Sequence, residues 1–209
     1  MIKAVLWDFG GVILSSPFEA FNRYEEEHGL PKDFLRTVNA TKPDANAWAR
    51  LERSDITPAE FDAAFADESA ALGHRVPGAD VLALLAGDVR DEMVHLLDEL
   101  KSRGYLLACL TNNIGGTHAS AERTETINAI MARFDVVVES SKVGTRKPEV
   151  EFYEMACNLL GVEPRECVFL DDLGVNLKPA KALGMTTIKV LDAEQAITEL
   201  EAVVGFPLR

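Results

Sequence analysis

The chain has 209 residues, 47% hydrophobic and 26% charged, with a net charge of −13. That length supports one sizeable core with a small second lobe. The acidic balance excludes a nucleic-acid or anionic-membrane face, which needs a basic patch. The three cysteines, Cys109, Cys157 and Cys167, form no C-x-x-C pair. Cys109 and Cys167 lie in apolar runs, as buried thiols do, and scattered thiols in odd number fit a reducing compartment. The first residues enter a strand-like run without a basic or long apolar leader, and no apolar run reaches the roughly 18 residues of a membrane span. A soluble, cytoplasmic protein is expected, with no nucleic-acid or membrane partner. Oligomeric state is not readable from the sequence.

Ile2 to Asp8 reads as a buried strand. A long amphipathic stretch without a convincing strand follows, from about Pro17 to Ala86. Phe18, Phe21 and Tyr24 stand at helical spacing there, as core stripes do. Thr57-Pro58-Ala59-Glu60 carries a helix start, with an N-cap Thr, Pro at the first helical position and Glu three residues after the cap. That helix should stop at Gly73. Beyond residue 87 strands and helices alternate. The pattern predicts a helix over about 89–103, a strand over 105–110, a helix ending near Arg133 and a strand over 135–139. A helix over about 149–160, a strand over 167–170, a helix over about 177–183, a strand over 186–190 and a final helix complete it. Such alternation implies a parallel sheet with helices on both faces. The expected architecture is a three-layer α/β core made by residues 1–16 and 88–209, interrupted after its first strand by a helical insertion over 17–87.

Ligands of open parallel sheets bind outside the carboxyl ends of the strands. The first strand ends at Asp8, the second at Thr111-Asn112-Asn113 and the fourth at Asp171-Asp172. After the third comes Lys147-Pro148, expected to open a helix. Adjacent acids suit a hard cation such as Mg²⁺. Thr111 offers a hydroxyl and Asn112 a backbone N–H to an anion, with Lys147 as the cation beside them. Asp8 would face that anion as a nucleophile. At ~4 Å, Asp8 and a phosphate dianion repel by roughly 8 kcal/mol at an effective dielectric of about 20. Mg²⁺ and Lys147 would supply the opposing charge, and attack would give an aspartyl-phosphate. Each motif alone is weak: an Asp at a strand end or a Thr-Asn-Asn loop is often only a cap or turn.

With these residues in this order, the chain resembles the haloacid dehalogenase (HAD) superfamily of aspartate-nucleophile hydrolases. The matching motifs are Asp8 in WDFGGV, Thr111 in CLTNN, Lys147 in GTRKPE and Asp171-Asp172 in FLDDLGVNLKPAKALGM. The last stretch is similar to the phosphatase domain of soluble epoxide hydrolases and to the HAD domain of some acyl-CoA dehydrogenase-like chains. The resemblance implies a Rossmann-like core with residues 17–87 as a small helical cap, and hydrolysis of a small phosphorylated metabolite. It implies Asp8 as nucleophile and Mg²⁺ ligand, the Gly10 carbonyl and Asp172 as further ligands, and Asp171 on a metal-bound water with Asn176 as its outer partner. Thr111 and Asn112 match the phosphate cradle. Lys147 matches the stabilising cation, in preference to its rival Lys142.

The chain departs from the family's phosphatases at Gly10, where they usually carry a second Asp. Glycine keeps its carbonyl for a metal and permits an unusual turn, but it performs no acid–base work, a contribution of about 10²–10⁴-fold. Three readings stay open: a phosphatase with weak acid catalysis, a 2-haloacid dehalogenase, which needs no proton for halide but lacks the acid pair in its relatives, and a non-catalytic binding protein. His118 and Glu19 are candidates for a substitute acid.

Overall fold

The computed structural model describes residues 1–113 and 121–209, the Glu19 side chain apart. Five strands form one parallel sheet: β1 (Ala4–Trp7), β2 (Leu106–Thr111), β3 (Val136–Glu139), β4 (Cys167–Asp171) and β5 (Thr186–Lys189). Their spatial order is β3-β2-β1-β4-β5, so the first strand is central. Trp7 lies opposite Cys109 on one side and Leu170 on the other, which brings Asp8 level with the carboxyl ends of β2 and β4. This is the α/β architecture expected from the sequence.

The four residues of β1 are all fully buried, and their alternation serves both faces. Val5 and Trp7 join one apolar cluster, with Met93, Leu97 and Leu100 of α6 (Asp91–Ser102) and Leu200 of α11 (Ala193–Val204). Ala4 and Leu6 join the opposite cluster, with Phe152, Tyr153 and Ala156 of α9 (Val150–Leu160) and Ala180 of α10 (Gly174–Ala182). Burial on two faces explains why the parallel strands read as continuous apolar runs. Between β2 and β3 stands α7 (Ala121–Met131), and α8 (Ser140–Val143) follows β3.

Five helices precede α6 in the connection from β1 to β2: α1 (Phe18–Glu27), α2 (Phe34–Ala40), α3 (Ala47–Glu52), α4 (Pro58–Ala71) and α5 (Gly78–Ala83). They build a third apolar cluster of their own around Phe21, Leu35, Leu51, Phe61, Phe65 and Val81, with Phe18 and Tyr24 packed on its edge. Thr57 caps α4 with the reciprocal Glu60 bond, as its sequence predicts. The two connections to the sheet run side by side: Leu14 bridges Val89 antiparallel, Ser15 N–H donates to Asp88 O at 2.8 Å, and Arg90 N–H donates to Ile13 O at 2.9 Å.

Two helix starts differ from expectation. Lys147-Pro148 does not open a helix; α9 begins at Val150, with Glu149 as its N-cap residue. The helix after β4 begins at Gly174 rather than near 177. All three cysteines are buried free thiols. Among the described residues no helix is long and apolar enough to cross a membrane.

Candidate active site

Four chain segments converge at the carboxyl edge of the sheet. Lys147 is buried to 1% exposure, and its Nζ lies 2.7 Å from Asp8 Oδ1 and 2.8 Å from Asp171 Oδ2. Asp8 Oδ1 also accepts from the Phe9 N–H at 2.6 Å, so both contacts fall on one carboxylate oxygen. Carboxylate oxygens of Asp8, Asp171 and Asp172 come within 4.8 Å of one another. Two of these three carboxylates, Asp8 and Asp171, pair directly with Lys147, and Asp172 stands beside them.

That crowding shows in their titration. Burial pushes the Asp8 carboxyl well above its ordinary range; Lys147 pulls it back, and the charges of Asp171 and Asp172 add to the rise. Asp172 is pushed up to about 6, by burial first and the Asp171 charge second, against Lys147 and the Ser16 hydroxyl. Burial by itself would lower the Lys147 ammonium, but Asp171 and Asp8 together outweigh it and hold the group protonated.

The two adjacent acids have different surroundings. Asp171 is fully buried, and both its oxygens are occupied: Oδ2 by Lys147, Oδ1 by the Leu173 N–H at 2.8 Å, and both by Asn176 Nδ2 at 3.0 and 3.1 Å. Among the described residues Asp172 takes one side-chain bond, from Ser16 Oγ at 3.4 Å. Asn176 therefore stands against Asp171, as its place in the motif implies. Thr111 is buried at the end of β2. The Asn112 side chain clasps the Lys147 backbone, accepting from its N–H and donating to its carbonyl, each at 2.9 Å. Lys142 is exposed and pairs with Glu139, away from this cluster.

The two glycines after Asp8 divide their work differently from expectation. Gly10 is exposed, an added Cβ would meet nothing within 4 Å, and its φ is not left-handed. The unusual turn belongs to Gly11, with φ +78°; a Cβ there would lie 2.3 Å from Asp172 Oδ2. Gly11 is therefore the residue that lets the loop approach the acid pair. Its carbonyl is held by Arg90 Nη1 at 3.1 Å.

A cavity of about 1590 Å³ opens over this edge. Asp8, Lys147 and Asp172 line its floor, and Phe18, Phe21, Trp48, Leu82 and Leu85 of the helical segment line its wall. Glu52 and Arg146 also face it; Glu52 lies in no sequence motif, and Arg146 stands inside GTRKPE without a role assigned to it there. His118 lies outside the described residues, and Glu19 is described only as a residue of α1.

A parallel sheet whose central strand delivers an aspartate to a lysine and an acid pair defines a class of hydrolase. The chain belongs to the haloacid dehalogenase-like hydrolases, matching that family over residues 2–184. It is 33% identical over 99% of its length to mouse acyl-CoA dehydrogenase family member 10, and 32% identical over 98% to mouse bifunctional epoxide hydrolase 2. It spans only 19% and 39% of those two proteins. A sesquiterpene phosphatase of Aspergillus oryzae is 27% identical, with 97% of each chain covered. In fold it is similar to a HAD family enzyme of Bacteroides thetaiotaomicron in complex with magnesium and inorganic phosphate (TM-score 0.60, 22% identity, 90% of this chain and 94% of that one).

Proposed function

We propose that the chain is a Mg²⁺-dependent phosphomonoester hydrolase that works through an aspartyl-phosphate on Asp8. The observation that carries this reading is the placement of Lys147 between Asp8 and Asp171, with Asp172 alongside. Three carboxylates against one ammonium leave excess negative charge in a buried site, which suits a divalent cation with oxygen ligands. Asp8, the carbonyl of Gly10 and Asp172 would hold it, with Asp171 behind them; bound there, it supplies Lewis-acid neutralisation of phosphoryl charge.

The chain's own residues account for the remaining steps. Lys147 and the Phe9 N–H fix Asp8 Oδ1, which leaves Oδ2 as the attacking atom. Oδ2 bonds to phosphorus as the ester P–O bond breaks. The leaving oxygen takes a proton from water, because Gly10 carries no acid. Water then attacks the same phosphorus and the P–O bond to Asp8 Oδ2 breaks, restoring the Asp8 carboxylate and releasing phosphate, and the proton that this water loses neutralises the hydroxide left by the first step. Lys147 offsets charge throughout, and Thr111 with the Asn112 N–H would receive the phosphoryl oxygens.

Residues 17–87 act as a cap over this centre, and their aromatic and aliphatic wall selects the ester's organic part. An apolar wall favours a small metabolite with an apolar body, a preference supported by the name of the Aspergillus relative. Halide displacement needs no cation, so the clustered acids favour phosphate over a halo-acid. The test is a panel of phosphate esters with Mg²⁺, apolar and sugar-based, against an Asp8→Asn control. Turnover lost in that control and higher on apolar esters is expected; equal turnover in Asp8→Asn would refute the nucleophile.

A further inference from the structure

Glu52 ends α3 and is buried to 5% exposure. Its Oε1 accepts from the Trp48 indole N–H at 3.0 Å. Its Oε2 lies 2.5 Å from Arg146 Nε and accepts from Asn112 Nδ2 at 3.4 Å. These two neighbours bracket Lys147: Arg146 precedes it in the chain, and Asn112 clasps its backbone. The surrounding contacts follow the same line. Arg53 pairs with Glu149, Ser54 Oγ donates to Ser141 O at 3.1 Å, and Arg146 Nη1 donates to Pro43 O at 3.1 Å. The end of α3 is thus fastened to the segment 141–149 that carries Lys147.

Among the described residues the groups bonded to Glu52 are all donors, so it stands there as an acceptor. Stability is not a sufficient account, since a buried ion pair gains little over an apolar pair of similar volume. We propose that Glu52 is a positioning residue for Lys147: by holding Asn112 and Arg146 it fixes where the Lys147 ammonium sits, and it does so only while the helical segment is seated on the core. Placement of the stabilising cation is thereby tied to closure over the substrate. This inference rests on the phosphatase reading.

The test uses the full chain with Mg²⁺ and p-nitrophenyl phosphate, comparing wild type, Glu52→Gln and Glu52→Asp, with amide hydrogen exchange measured in each. Glu52→Gln keeps the shape and removes the charge. It is expected to lower kcat by about tenfold to a hundredfold, the scale of a small displacement in an active site, while KM changes little. Glu52→Asp is expected to recover part of that loss. Exchange should quicken over 141–149 in Glu52→Gln and stay slow in β1, β2 and β4. An unchanged kcat in Glu52→Gln overturns the proposal whatever the exchange shows. A wild type without turnover overturns the phosphatase reading; the exchange measurement, which needs no turnover, still decides whether Glu52 holds the Lys147 segment.

Discussion

Replacing Gly10 with aspartate should raise turnover. The position is two residues beyond the proposed nucleophile and lines the cavity. A Cβ there meets nothing within 4 Å, and the backbone is not left-handed, so the side chain enters without strain. Loss of glycine's freedom in the unfolded chain favours the variant by about 0.4–1 kcal/mol, offset by repulsion from Asp8 and Asp172. The kinetic gain has a ceiling of about 10²–10⁴-fold for a well-placed acid–base group, or roughly 3–5 kcal/mol of barrier. The gain should be largest for alkyl esters, whose leaving oxygen most needs a proton, and small for aryl or acyl phosphates. The assay is kcat on both ester classes, in wild type and variant, with Mg²⁺. A folded Gly10→Asp protein with no gain on alkyl esters would refute the reasoning, as would a wild type fast and equal on both classes: either result means that proton transfer is not limiting at Gly10.

The neighbouring substitution Gly11→Ala should do the opposite, because its Cβ would lie 2.3 Å from Asp172 Oδ2 at φ +78°; a backbone cost of about 1–2 kcal/mol and a displaced Asp172 should show as a lower Tm and weaker Mg²⁺ binding by calorimetry. Asp172→Ala should abolish Mg²⁺-dependent turnover and raise Tm at neutral pH in the absence of Mg²⁺, because it removes a carboxylate whose charge burial and Asp171 disfavour. Asp171→Ala should leave some turnover yet unfold at lower urea, since Lys147 keeps Asp8 as its partner but loses the second carboxylate; the reverse order would exchange their roles. The Asp172 carboxyl, ordinarily near 3.8, sits at about 6 in the metal-free fold. The folded state therefore holds the extra proton, and the stability this group contributes is full below pH ~3.9 and lost as pH rises through ~6, up to about 3 kcal/mol. Added Mg²⁺ should then raise Tm more at pH 7.5 than at pH 5, and equal shifts would count against a cation at Asp172.

Much of this was legible in the chain because the parallel strands are buried on both faces and announce themselves as apolar runs. Asp8, Thr111 and Asp171 follow at once from where those runs stop. Motif order and the Lys-Pro spacing favour Lys147 over its rival Lys142, and in three dimensions one is buried against Asp8 and the other exposed. The unusual turn expected at Gly10 lies at Gly11 instead: adjacency to the nucleophile says nothing about φ, and it is Gly11 that meets Asp172, 161 residues away. Glu52 gives no signal in the sequence because it has no local reason for burial, and Arg146 is visible there only as the neighbour of Lys147 in GTRKPE. The helix expected at Pro148 starts later because Glu149 turns its carboxylate back to Thr145 and the Arg146 N–H before the chain coils.

The paired connections at Leu14 and Val89 also bear on how the chain assembles. Val5 must find Leu107 across 102 positions, a separation that would shrink to 32 without the 70 residues from 17 to 86. Closure entropy grows only with the logarithm of loop length, so hosting five helices there costs the central strand pair about 1 kcal/mol. The ribbon formed by residues 13–15 and 88–90 ties off the insertion at its neck. The sheet is thus nearly indifferent to what is spliced between its first two strands, and the inserted lobe can diverge in sequence and size while the nucleophile keeps its place.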